Sequence, residues 1–221
     1  MNKAFIFDMD GVLINDEALW MKYEVTLFDE LFGKEISAQI GDTVGVSSKT
    51  IIEKAKSLGF DKSVEDTFRK WDDVAFEVYD QSNITPGIEK LGNFLVENGF
   101  KLGIVSSSRM SWINRVLPRL PFKNNITNII FLADRADLLP KPASEGYKEM
   151  METLDVIPSD TIILEDSNAG IKSAVDANAF VISLSENLIP NYKQIDIANA
   201  KAGNMLEVIE ATKDWLESRK K

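Results

Sequence analysis

The chain has 221 residues, enough for one large domain or for a core carrying a smaller inserted unit. It contains no cysteine and no histidine, which excludes disulfides, zinc-thiolate sites, thiol catalysis, imidazole acid–base catalysis and a Ser-His-Asp triad. The net charge of −10, from 35 acidic and 25 basic side chains, is the wrong sign for a nucleic-acid footprint, so a site for an anion must reverse the field locally with a divalent cation, a lysine or backbone N–H groups.

Ala4-Phe5-Ile6-Phe7 is a short apolar run closed by Asp8-Met9-Asp10-Gly11, the pattern of a buried strand and a sharp turn. From about Asp16 to Ser82 only helical spacing follows. Leu19, Tyr23, Leu27, Phe28 and Leu31 recur on one face and stop at Gly33. Ser47 or Ser48 begins a helix that ends at Leu58 before Gly59. Ser63-Val64-Glu65-Asp66 resembles a capping box ahead of a helix to about Tyr79.

After Thr85-Pro86-Gly87 the elements alternate. Helices are expected up to 98, over 111–120, 144–154 and 168–177, and from about 204 to 220; strands are expected over 101–106, 128–132, 161–164 and 180–184. The fold class is therefore α/β, a Rossmann-like parallel sheet core with helices on both faces. Residues 1–14 and 85–221 form that core, and residues 15–84 form an all-helical insertion beside the C-terminal ends of the strands, where open α/β sheets bind ligands. The longest apolar runs are strand-sized, well short of the ~18 residues of a membrane span. No secretory pattern precedes the first strand, so a cytoplasmic chain with no membrane or nucleic-acid partner is expected, as a monomer.

Four segments place polar groups just after or near predicted strand ends. These are Asp8-Met9-Asp10-Gly11-Val12, Ser106-Ser107-Ser108-Arg109, Lys141-Pro142 and Glu165-Asp166-Ser167-Asn168-Ala169-Gly170. Carboxylates two residues apart in extended chain point to one side and suit a hard cation with oxygen ligands, magnesium above all. Each segment has a plainer reading. The aspartates also fit a solvated acidic turn, the serines and Glu165-Asp166 fit helix capping, and Lys141 fits a solvated loop. Order and spacing together favour a site, because in a parallel sheet all four converge on one edge.

Taken as a series, these segments resemble the four successive motifs of haloacid dehalogenase-like hydrolases, and the helical insertion is similar to that family's alpha-helical cap. The subgroup most resembled is the β-phosphoglucomutase-like phosphatases. The resemblance implies Asp8 as a nucleophile that forms an aspartyl-phosphate, and Asp10 as the acid and base for the leaving group and water. Ser106, with Ser107, and Lys141 would hold the phosphoryl oxygens. Asp8, Asp10, Glu165 and Asp166 would hold Mg2+, Asp10 also through its backbone carbonyl as in family members. The implied function is a phosphatase of small phosphorylated metabolites such as sugar phosphates; the alternative is a β-phosphoglucomutase-type mutase. Such mutases carry a histidine at the position that matches Trp20 and a threonine at the position of Asp16, which weakens that alternative. Trp20 and Lys49 are the candidates for substrate contact from the cap, although a large aromatic on an amphipathic helix also suits packing.

Overall fold

The computed structural model describes residues 2–41 and 43–220; Met1 and Lys221, the ends of the expected core, and Asp42 of the expected insertion lie outside the described residues. The first strand, β1 (Lys3–Phe7), is apolar on both sides: Phe5 and Phe7 face one core cluster, Ala4 and Ile6 the other. A strand covered on both faces has no need of a polar face, which is why its sequence is a continuous apolar run. After the Asp8–Leu13 turn comes a two-residue strand, β2 (Ile14–Asn15), and then helices only: α1 (Glu17–Phe32), α2 (Lys34–Ile40), α3 (Ser48–Ser57) and α4 (Val64–Gln81). The α3 and α4 starts are capped by serine, Ser47 accepting from Thr50 N at 3.2 Å and Ser63 from Asp66 N at 3.1 Å. Leu27, Phe28 and Phe32 of α1 pack on Trp71 of α4 and Phe60, with the Phe28 and Trp71 rings 5.4 Å apart. The insertion thus has an aromatic core, each buried ring contributing about 1.5–3 kcal/mol.

The chain returns through β3 (Asn83–Ile84), which pairs antiparallel with β2, Ile14 opposite Ile84 and Asn15 opposite Asn83. Thr85 N extends the ribbon with a 3.0 Å bond to Leu13 O. The two passages between the sheet and the four helices therefore run side by side. Then follow α5 (Ile88–Glu97), β4 (Phe100–Ser106), α6 (Met110–Val116), β5 (Ile126–Phe131), α7 (Glu145–Thr153), β6 (Thr161–Glu165), α8 (Asn168–Asp176), β7 (Phe180–Leu184), β8 (Ala200–Ala202) and α9 (Met205–Ser218).

The six-stranded sheet is parallel throughout, in the order β5-β4-β1-β6-β7-β8. The expected α/β class with helices on both faces is what forms. The sequence reading did not anticipate α2, the β2–β3 ribbon or β8 at the edge. The helix expected over 111–120 stops at Val116 and tightens to a 3-10 turn at Leu117–Arg119, where Pro118 has no N–H to continue the ladder. β1 lies at the centre with Phe7 opposite both Ile104 and Leu164. The residues that follow β1, β4 and β6 are thereby neighbours at one sheet edge, and that edge positions the site.

Candidate active site

Asp8 directly follows β1, its N–H donating to Leu164 O at 3.1 Å. Lys141, from the loop ahead of α7 and only 5 % exposed, reaches it from the side. Its Nζ donates to Asp8 Oδ1 at 2.5 Å, to Glu165 Oε1 at 2.6 Å and to the Val105 carbonyl at 3.0 Å, so all three ammonium hydrogens have acceptors. The Lys141–Pro142 peptide is cis. Burial works against the ammonium, but Asp8 and Glu165 outweigh it and hold Lys141 above its ordinary pKa, so it stays charged. Burial drives the Asp8 carboxyl well above the usual carboxylate range, Lys141 opposes this, and Glu165 and Asp10 add to it. Glu165 is engaged at both oxygens: Tyr147 OH also donates to Oε1 at 2.6 Å, and the Asp166 N–H donates to Oε2 at 3.1 Å. Glu165, expected as a metal ligand or as a helix cap, also orients the lysine.

Asp8, Glu165 and Asp166 each offer a carboxylate oxygen within 4.8 Å of the others. Asp166 Oδ2 is buried and has no hydrogen-bond partner among the described residues. Burial, then Glu17 and Asp8, raise its pKa. An orphaned buried oxygen beside two more carboxylates fits a hard divalent cation. Gly11 is required for this approach. A Cβ there would stand 1.9 Å from Asp166 Oδ2, and its φ of +71° lies where side chains are strained.

Asp10 is not in that carboxylate group. Its side chain turns to hydroxyls instead, Oδ1 accepting from Tyr79 OH at 2.6 Å and Oδ2 from Ser108 Oγ at 2.7 Å and Ser106 Oγ at 3.3 Å. Of the ligand roles expected for Asp10, only the backbone carbonyl is compatible with this rotamer. Asp16 lies beside it, wholly buried, accepting from Gly11 N at 2.9 Å and Trp20 Nε1 at 3.1 Å. Burial and the neighbouring Asp10 raise the Asp16 carboxyl.

Between these groups and the helical insertion lies a cavity of about 280 Å³. Asp10, Ser107, Ser108 and Trp112 line it from the sheet side, and Glu17, Trp20, Glu24 and Tyr79 from the helical side. Trp20, Tyr79 and Trp112 form an aromatic wall with centroids about 6 Å apart, Trp20 meeting Tyr79 edge-on. Among the described residues, no lysine or arginine lines it. Lys49 sits half-buried in the first turn of α3 and is not part of the lining; its neighbour Ser48 is. Ser106 and Ser107 separate: Ser106 lies under Asp10, while Ser107 Oγ donates to Gly45 O of the insertion at 3.4 Å.

Gly45 is the contact point of that loop. A Cβ on it would meet Ser167 Cβ and Oγ at 2.3 Å, again at positive φ (+71°). Gly45→Ala is expected to lift the loop from the sheet edge and reduce steady-state turnover by about 10²-fold, the scale of an ångström-sized misplacement; unchanged turnover would show that this contact is dispensable. The insertion is also clasped elsewhere. Arg109 Nη1 donates to both Asp72 oxygens at 2.9 Å, Trp112 Nε1 donates to Asp72 at 2.6 Å, and Arg119 donates to the Tyr79 carbonyl at 2.6 Å.

A family model described as haloacid dehalogenase-like hydrolase matches residues 5–184. Hexitol phosphatase B of Escherichia coli O157:H7 is 25 % identical over 212 residues, 93 % of each chain. Phosphorylated carbohydrates phosphatase of Thermotoga maritima is 25 % identical over 178 residues, 79 % of this chain and 81 % of that one. Among solved structures, β-phosphoglucomutase from Clostridium difficile superposes with a TM-score of 0.76 at 24 % identity over 100 % of both chains, a likeness of fold.

Proposed function

This chain belongs to the haloacid dehalogenase-like hydrolases, and from that membership we propose a magnesium-dependent phosphatase of small phosphorylated metabolites, with a sugar or sugar-alcohol phosphate as substrate. One observation carries the reading: a buried lysine pinned between Asp8 and Glu165, beside an unpartnered Asp166 oxygen. That is a carboxylate next to one cation and next to the donors for a second, which an anionic ester needs in a chain of net charge −10.

In this proposal Asp8 attacks phosphorus in line, a P–O bond to its carboxylate forms, and the bond to the ester oxygen breaks. Asp10 gives its proton to the departing oxygen, then takes one from the water that attacks the aspartyl-phosphate and frees inorganic phosphate. Lys141 offsets the carboxylate charge as the anionic ester approaches, and a phosphoryl oxygen would replace one of its three present acceptors; of the two serines expected to share that oxygen, Ser107 lines the cavity while Ser106 is held under Asp10. Asp8 and Asp166, with Glu165 and the Asp10 carbonyl, are the groups that would hold Mg2+. Magnesium, when bound, neutralises charge on the phosphoryl oxygens.

Residues 15–84 are proposed to act as a cap joined to the core, residues 1–14 and 85–221, through the β2–β3 ribbon. The cavity beneath offers aromatic faces and acidic hydrogen-bond acceptors without a lining cation, which suits a neutral hydroxylated leaving group. The relatives named for hexitol and carbohydrate phosphates support the same substrate class. Water is the proposed acceptor, because Trp20 stands where mutases have histidine and its indole N–H, a donor only, supplies no base. A monomeric, cytoplasmic enzyme is part of the same reading.

A panel of phosphate monoesters that includes hexitol and hexose phosphates tests it, read as free phosphate. Release is expected with magnesium, to drop on the order of 10³-fold with a chelator, and to return when the ion is restored. No release from any ester with magnesium present would refute the proposal.

A further inference from the structure

We propose that Tyr79 is a positioning residue through which the helical insertion sets the leaving-group chemistry, holding Asp10 for proton transfer only while α4 is seated on the sheet edge. The inference rests on the phosphatase reading above. Tyr79 lies near the C-terminal end of α4 and is 1 % exposed. A buried tyrosine is mostly apolar body, so its lone hydroxyl must find a partner. It finds Asp10 Oδ1 at 2.6 Å and Ser108 Oγ at 3.0 Å, and Ser108 Oγ in turn donates to Asp10 Oδ2 at 2.7 Å. The Tyr79 hydroxyl on Oδ1, against those of Ser108 and, at 3.3 Å, Ser106 on Oδ2, fixes the plane of the carboxyl group. Loss of the Tyr79 donor loosens that plane.

The tyrosine itself is held from two directions. Trp20 and Trp112 close on its ring, and Arg119, from the turn after α6, grips its carbonyl. Movement of α4 away from the sheet would break the Arg119 and Asp72–Arg109 contacts and the Tyr79–Asp10 bond together. From the insertion, Tyr79 donates a hydrogen bond to the Asp10 carboxylate, 69 positions away in sequence, and the buried Asp16 lies against the same carboxylate. Its site in the fold makes protonation of the leaving oxygen conditional on closure.

The test compares kcat/KM of the full chain with magnesium on two substrates: a hexitol phosphate, whose alkoxide must leave with a proton, and p-nitrophenyl phosphate, whose phenolate leaves without one. Tyr79→Phe keeps the ring packing and removes only the hydroxyl. It is expected to lower kcat/KM on the hexitol phosphate by about 10²-fold, the scale of general acid catalysis, and to lower it at least about tenfold less on p-nitrophenyl phosphate. Ser108→Ala is expected to show the same bias to a smaller degree, and the double variant to lose less than the two effects added, since both act on one carboxyl. If Tyr79→Phe fails to fold, Arg119→Met, which releases the Tyr79 carbonyl without touching Asp10, carries the test, with the same bias between the two substrates expected and equal losses on both overturning the inference. Equal losses on both substrates, or no loss on the hexitol phosphate, would overturn the inference while leaving the phosphatase reading intact. A wild-type protein that releases phosphate from neither substrate would overturn both.

Discussion

Asp8→Asn is expected to release phosphate at least about 10⁴-fold more slowly than the unaltered chain while keeping its fold. The amide is isosteric with the carboxylate, and its oxygen can still accept from Lys141, which retains Glu165 and the Val105 carbonyl as well. Burial already raises the Asp8 carboxyl, so replacing it with a neutral group does not strip a strongly favourable charge from the core. The change in stability should be within about 1 kcal/mol. An amide does not form the aspartyl-phosphate, so the loss falls on chemistry. Far-ultraviolet circular dichroism and a thermal melt check the fold; phosphate release checks the rate.

Lys141→Met should lose both activity and stability. It removes the donor facing Asp8 and leaves buried carboxylates without their cation, a cost of about 3–5 kcal/mol when one partner of a buried ion pair is deleted. Turnover should fall by about 10³-fold, as when a group stabilising developing charge is lost. The pH dependence has a definite sign. Burial raises the native pKa values of Asp8 and Asp166 above their unfolded values, and Lys141 holds both down. Without the lysine, the variant should be most stable below the ordinary carboxyl pKa of about 4, and should lose stability as pH rises through the higher native values. Denaturant melts of the chelated protein across that range read this directly. A variant as stable as the parent at neutral pH would show that Lys141 does not compensate these charges.

The sheet core was legible because its strands are continuous apolar runs and its polar segments follow strand ends in a fixed order. That is how Asp8, Lys141 and Asp166 came to one edge in both the sequence and the fold. Tyr79 was hidden. In sequence it marks the end of an amphipathic helix, and only its 69-residue closure onto Asp10 gives its hydroxyl a use. Ser108 was part of a three-serine run, and spacing alone does not tell which hydroxyl reaches Asp10. β8 is three residues long, with an exposed lysine at its centre, and has no periodicity to detect. Lys49 was a candidate for substrate contact from the cap, but the first turn of α3 places Ser48, and not the lysine, at the cavity. The sequence also gave no sign that Glu165 has both oxygens engaged by protein donors, since those bonds come from the Lys141 loop, from α7 and from the turn after β6.

The central claim is that phosphate passes through the Asp8 carboxylate. Acid-quenching the enzyme during turnover of a phosphate ester and reducing it with borohydride converts an aspartyl-phosphate to homoserine, which peptide mass spectrometry can place. The account predicts homoserine at position 8, dependent on substrate and absent from Asp8→Asn. Homoserine at another aspartate, or none at position 8 in an enzyme that is turning over, would contradict it.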